Sequence, residues 1–234
     1  MKKSFWLIAP FAAWMVLMTV LPATVGGYAV RTAVVAALLV AAWLHGLRSR
    51  SCTSGPETAS TLVDGRKAKG DRNGFRGVQK VEAVSRPLVE KKELRGPLSL
   101  GLAVGLAVFV LWILPEQFDW AWYRKWCIVG EGGTKAVAEA SAAMIAVRLV
   151  GSAFVISVAE ELFFRKWLIG FAGFWWMVVL FAVEHDRWLV AALCGIAYGW
   201  LYLRKGLLSA IVAHATTNLI LGLWVLKTGQ WQFW

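Results

Sequence analysis

Seven apolar runs, most of them near the length a bilayer demands, constrain this chain more than any other feature. A hydrocarbon core about 30 Å thick takes roughly 20 helical residues, and only helices or closed barrels satisfy their backbone polar groups inside it. The runs cover 5–21, 28–47, 98–114, 143–169, 173–188, 189–203 and 207–226. Of 234 residues 59% are hydrophobic, and the mean hydropathy is +0.59, more apolar surface than a soluble domain of this size could hide. The expected fold is therefore all-α, a polytopic membrane protein of about seven transmembrane helices.

Charge distribution divides the chain. Residues 1–47 hold two N-terminal spans, 48–97 a basic flexible loop, 98–139 a third span with a Trp-rich interfacial segment, and 140–234 a helical core. A cleaved signal peptide would resemble the first run, which follows Lys2 and Lys3 and stops at Pro22. A second span follows at once, so a retained helix is expected. The formal charge of +11 would suggest nucleic acid in a soluble protein. Here about half of the basic residues fall between Arg48 and Arg95, with no stacking module or zinc-finger spacing. Membrane lipid is the expected partner and nucleic acid is not. The positive-inside rule places the N-terminus, this loop, Arg165 with Lys166, and Arg204 with Lys205 in the cytoplasm. Trp120, Trp122 and Trp126 are suited to lying along the membrane interface. Cys52, Cys127 and Cys194 are widely spaced and form no CxxC, so they indicate neither a disulfide framework nor a thiolate metal site.

Three polar clusters interrupt the last apolar runs: Glu160-Glu161 with Arg165, Glu184-His185, and His214 with Asn218. Ionisable groups at membrane depth are expensive and face a wet cavity or one another, so each cluster is a functional candidate. At about 1.5 Å per residue, Glu160, His185 and His214 lie about 13, 18 and 13 Å from the cytoplasmic ends of their helices. All three can meet in one polar chamber on the cytoplasmic side of the midplane. Glu161 and Arg165 are four apart and share a face, whereas Glu160 is turned about 100° away. The expected division is a structural Glu161–Arg165 pair, with Glu160 pointing into the chamber. His214 and Asn218 share a face by the same spacing. For Arg148, the expected partner is Glu139 or a lipid phosphate; Tyr198, Ser209 and Cys194 read as packing residues.

A buried, hydrated carboxylate beside an imidazole can take a proton from water, and a carboxamide can donate to the oxyanion formed on a peptide carbonyl. The reaction class is amide hydrolysis within or beside the membrane. Cofactor use stays open. Zinc could sit on Glu160, His185 and His214 with a water in the fourth position, yet no HExxH helix is present, and a site without metal fits equally well.

The clusters also read as EExxxR, FxxxH and HxxxN in that order: Glu160-Glu161…Arg165, Phe181…His185 and His214…Asn218. In these motifs the chain resembles the CAAX protease and bacteriocin-processing (CPBP) family of intramembrane proteases, over roughly Arg148 to the C-terminus. The end of the chain, from Ala213 to Trp234, looks like a bacterial CAAX prenyl protease-related branch associated with exosortase loci. The resemblance implies a multi-helix membrane hydrolase of a bacterial inner membrane, acting on a membrane-associated peptide or protein. Glu160 and His185 would activate water, His214 and Asn218 would steady the transition state, and Glu161 and Arg165 would support them. The stretch from Arg165 to Phe181 is shorter than the family pattern leads one to expect, implying a tight turn between spans four and five. The 48–97 loop has no counterpart in the shared core. A non-catalytic membrane scaffold or immunity-type binding protein is the alternative from another class. A proton-relay transporter is disfavoured, since no repeat symmetry appears.

Overall fold

A computed structural model describes residues 3–22, 24–51, 91–129 and 141–233. These residues form α1 (Lys3–Val20), α2 (Val25–Ser51), α3 (Lys91–Gln117), α4 (Ala121–Cys127), α5 (Ala142–Ala172), α6 (Phe174–Val183), α7 (Trp188–Lys205) and α8 (Leu207–Thr228), with a 3₁₀ turn over Trp231–Phe233. Among the described residues there is no strand, only a single bridge between Ile128 and Arg187. The all-α expectation holds.

Four segments are long and apolar enough to cross a membrane alone: Gly26–Gly46, Gly96–Gln117, Ala142–Ala172 and Leu207–Thr228. Ser4–Val20 and Phe174–Val183 are shorter apolar helices. The run expected as span five is the main departure. Its helix, α6, has 10 residues, about 15 Å and half a bilayer core. It stops because Glu184, His185, Asp186 and Arg187 follow, and the chain turns there into α7. Two smaller departures concern ends. Pro115 does not terminate α3, which runs on to Gln117, and helix claims both edges of the expected loop, to Ser51 and from Lys91. The centre of that loop and the proposed Arg148–Glu139 pair lie outside the described residues. Arg148 itself places its guanidinium 5.3 Å from the Tyr28 ring centroid.

Contacts fix the relative directions of the helices. Along α3 and α8, Thr217 bonds Gly105, Phe109 meets Trp224, and Gln117 bonds Gln230, so the two helices run parallel. α5 runs against α8, since Glu161 meets His214 while Ser152 meets Asn218. Along α1 and α2, Phe11 packs on Phe164, and Tyr28 donates to the Arg148 carbonyl, so α1 opposes α5 and α2 accompanies it. Successive long helices therefore alternate. The ends at 51, 91, 172, 174, 205 and 207 share one side, called the near side below.

Close approach holds the α3–α8 pair. A Cβ on Gly105 would come within 2.8 Å of Thr216 Cβ, so only glycine fits. Gly101 lies four residues earlier on the same contact, giving the small-xxx-small pattern by which membrane helices gain dispersion contacts. The tight turn expected after α5 is a single residue, Gly173, at φ +93°, a backbone region that side chains other than glycine's resist. It returns the chain at once and sets α6 beside α5.

Candidate active site

The site is built on an irregular helix. α5 contains two π-helical stretches, Gly151–Ile156 and Glu161–Leu168, and Glu160 ends the short α-turn between them. Such widened turns leave carbonyls open to side-chain donors and recur at functional sites. Ser157 Oγ donates to the Ser152 carbonyl at 3.1 Å, spanning the first stretch.

Both glutamates flank one imidazole. His214 Nδ1 lies 2.8 Å from Glu161 Oε1, and its Nε2 lies 3.7 Å from Glu160 Oε2. The expected Glu161–Arg165 pair is present, with Nη1 3.1 Å from Oε1 and neither side chain exposed. Glu161 thus has a second task that helical phase alone did not predict: it orients His214. Arg165 is also enclosed by aromatic faces, 4.2 Å from the Phe181 centroid and 5.4 Å from that of Tyr198. A buried cation needs such compensation, and π faces supply part of it. Because Arg165 is fully buried and paired, it drops out of the positive-inside count; Lys166 is exposed and remains.

His185 sits in the turn after α6. Its Nδ1 lies 2.7 Å from the Phe181 carbonyl, which can only accept, so Nδ1 carries the proton and Nε2 is left with its lone pair. Its ring packs against Phe181 and Trp112, with centroids 4.6 and 5.8 Å away. Asn218 donates from Nδ2 to the Ser152 carbonyl and to Ser157 Oγ, both at 3.1 Å.

A cavity of about 180 Å³ joins these groups, and Glu160, His185, His214 and Asn218 all line it. It has room for several waters. Glu160 and His214 lie about 18 and 10 Å from the near ends of their helices, against about 13 Å expected for each, because α5 runs on to Ala172 and α8 begins at Leu207. Trp112, Leu221 and Phe233 carry the cavity further toward the far side than the sequence indicated. Among the described residues no group of three or more His, Cys, Asp or Glu side chains clusters tightly enough to hold a metal ion.

Sequence reasoning missed several members. Tyr198 is more than packing: its ring stacks on His214 at 5.1 Å, and its hydroxyl donates to Thr217 Oγ1 at 2.6 Å. Ser152 and Ser157 are five residues apart, a spacing that faces together only on a π-turn, which no residue pattern in this stretch announces. Thr217 was visible as the neighbour of Asn218 but carried no signal of its own.

An all-helical, multi-pass membrane protein with paired carboxylates and two imidazoles on one buried cavity is the class that fold and site define. Residues 142–220, from the start of α5 into α8, match the family model described as Type II CAAX prenyl endopeptidase Rce1-like, consistent with the CPBP family. No curated protein and no solved structure matches the chain. The matched segment contains every motif residue: Glu160, Glu161, Arg165, His185, His214 and Asn218.

Proposed function

We propose that the protein is an intramembrane endopeptidase that hydrolyses a peptide bond of a membrane-associated protein or peptide with water activated by Glu160 and histidine. The observation that carries this reading is the single cavity on which Glu160, His185 and His214 converge, with Glu160 and Glu161 on the two nitrogens of His214. A water beside Glu160 donates a hydrogen bond to the bare Nε2 of His185 and keeps that proton through the attack. Glu160 takes the other proton as the water oxygen bonds to the substrate carbonyl carbon. Collapse of the tetrahedral intermediate breaks the C–N bond. The proton held at Glu160 passes to the departing amine, and the new carboxylic acid gives its own proton to that amine, so the products are a carboxylate and an ammonium. His214, fixed by Glu161, keeps Nε2 toward Glu160 and the reacting oxygens.

Near-side basic residues, Lys166, Arg204 and Lys205, support a cytoplasmic near side and N-terminus in a bacterial inner membrane. The seven-span count and the exosortase-associated branch belong to the same proposal; the latter rests on the residues from Ala213 onward.

Comparing membrane-proteome cleavage products from the wild type and Glu160→Gln tests the reading. Product termini present with the wild type should vanish with the variant, a loss of about 10²–10⁴-fold for removing a general base. Persistence of those termini, at equal membrane level and fold, would leave the scaffold or immunity-type reading in its place.

A further inference from the structure

We infer that the turn Trp231–Phe233 is a gate: Phe233 stops the far end of the cavity, and a substrate chain reaches Glu160 when this turn swings away. The inference rests on the hydrolase reading above and gives that site its entrance.

Size is the first observation. The cavity encloses about 180 Å³, whereas pockets for drug-sized ligands span roughly 300–1,000 Å³. Waters fit beside Glu160, but a peptide bond with its two flanking residues does not. Glu160, His214 and Thr217 are each less than a tenth exposed. The arrangement is closed, and a wall must move before a substrate enters.

The near wall is a packed layer. About one turn in from the near ends of α5, α6 and α7, Leu168, Met177 and Leu201 belong to one buried cluster with Phe164. One turn deeper stands Arg165, paired with Glu161 and faced by Phe181 and Tyr198. Opening here would separate three helices and bare an ion pair.

The far wall is held differently. There the lining includes His185, Trp112 and Leu221, and it reaches Phe233, whose ring is buried with Phe109, Ile113 and Val225. Phe233 belongs to no spanning helix: α8 ends at Thr228, Gly229 takes φ +69°, and a single 3₁₀ turn follows. Side chains tie that turn to the body. Gln230 Oε1 accepts from Gln117 Nε2 at 2.8 Å, and Arg187, paired with Glu116, sets its guanidinium 4.9 Å from the Phe233 centroid. One ring and a few polar contacts at a glycine joint open at far lower cost than a layer shared by three helices.

A native thiol allows the test without a substrate. Cys194 lines the cavity and is fully buried, and Cys52→Ser with Cys127→Ala leaves it as the one cysteine of the chain. Its modification by N-ethylmaleimide and by the bulkier fluorescein maleimide is followed by mass in the purified protein in detergent, with unfolding temperature read alongside. Phe233→Ala should raise both rates at least about tenfold, the bulky reagent's most, because the buried ring no longer holds the turn shut. Phe233→Leu, which keeps apolar bulk, should stay within about threefold of the parent. Gln230→Ala, a milder change that loses the tie to Gln117, should accelerate labelling severalfold and serves if Phe233→Ala does not fold. Leu201→Ala removes similar packing from the near wall and should leave the rates within about threefold of the parent. Equal acceleration by Leu201→Ala would overturn the inference, as would parent-like rates in folded Phe233→Ala or Gln230→Ala. Products independent of Glu160 would remove the hydrolase reading and with it the gate's role as a substrate entrance. Unchanged labelling with Glu160-dependent products intact would remove the gate alone.

Discussion

The two faces of α5 make opposite uses of the same helix. Its outer face meets α1 and α2: Phe11 stacks on Phe163, Trp14 and Tyr28 pack with Ile156 and Ala159, and Gly151 leaves room for Thr32. Its inner face carries Ser152, Ser157, Glu160, Glu161 and Arg165 against α6, α7 and α8. Among the described residues, none of α1 or α2 lines the cavity. The outer contact is apolar packing that lipid could partly replace, whereas the inner contact is a polar network with no substitute. The lining of the cavity is thus concentrated in 142–233 with Trp112, and the first hairpin braces α5 from behind.

Substitutions on each face should separate these roles. The largest effect after loss of Glu160 is expected from Arg165→Met, which leaves the Glu161 carboxylate buried beside His214 without its cation. Breaking a buried pair from one side costs about 3–5 kcal/mol, so the amount of folded protein in the membrane should fall sharply. Near-normal folded yield from this variant would show that the aromatic cage, not the ion pair, sustains the network. Phe11→Ala, on the outer face, should cost up to about 3 kcal/mol in unfolding measurements. Turnover per folded molecule should stay within about twofold, and a larger fall would mean that the hairpin takes part in the chemistry. Tyr198→Phe should have the smallest effect. It keeps the ring against His214 and loses only the hydroxyl's bond to Thr217, worth about 1 kcal/mol. A severalfold drop in kcat without a stability change would instead assign that hydroxyl a part in the reaction.

Much of the site was legible because ionisable side chains in apolar helices are conspicuous. Glu160, Glu161, Arg165, His185, His214 and Asn218 were all selected on that ground, and the structure brings them to one cavity or into its immediate support. What stayed hidden has a common cause. Ser152, Ser157, Tyr198 and Thr217 are residue types that serve equally well as packing, so only their partners reveal a role. The length of α6 was hidden as well. Glu184-His185-Asp186-Arg187 interrupt the apolar run there, yet local composition alone does not say whether such a cluster lies within a span or ends it.

By itself the sequence determined a helical membrane protein and the identity of its ionisable residues. Those follow from the cost of placing polar groups in lipid, which is local and nearly independent of partners. Tertiary structure alone decided that Glu161 serves Arg165 and His214 together, that Gly105 admits α8, and which groups of α5 Asn218 meets. These are matters of distance and hydrogen-bond direction between segments remote in sequence, and no periodicity along a single helix encodes them.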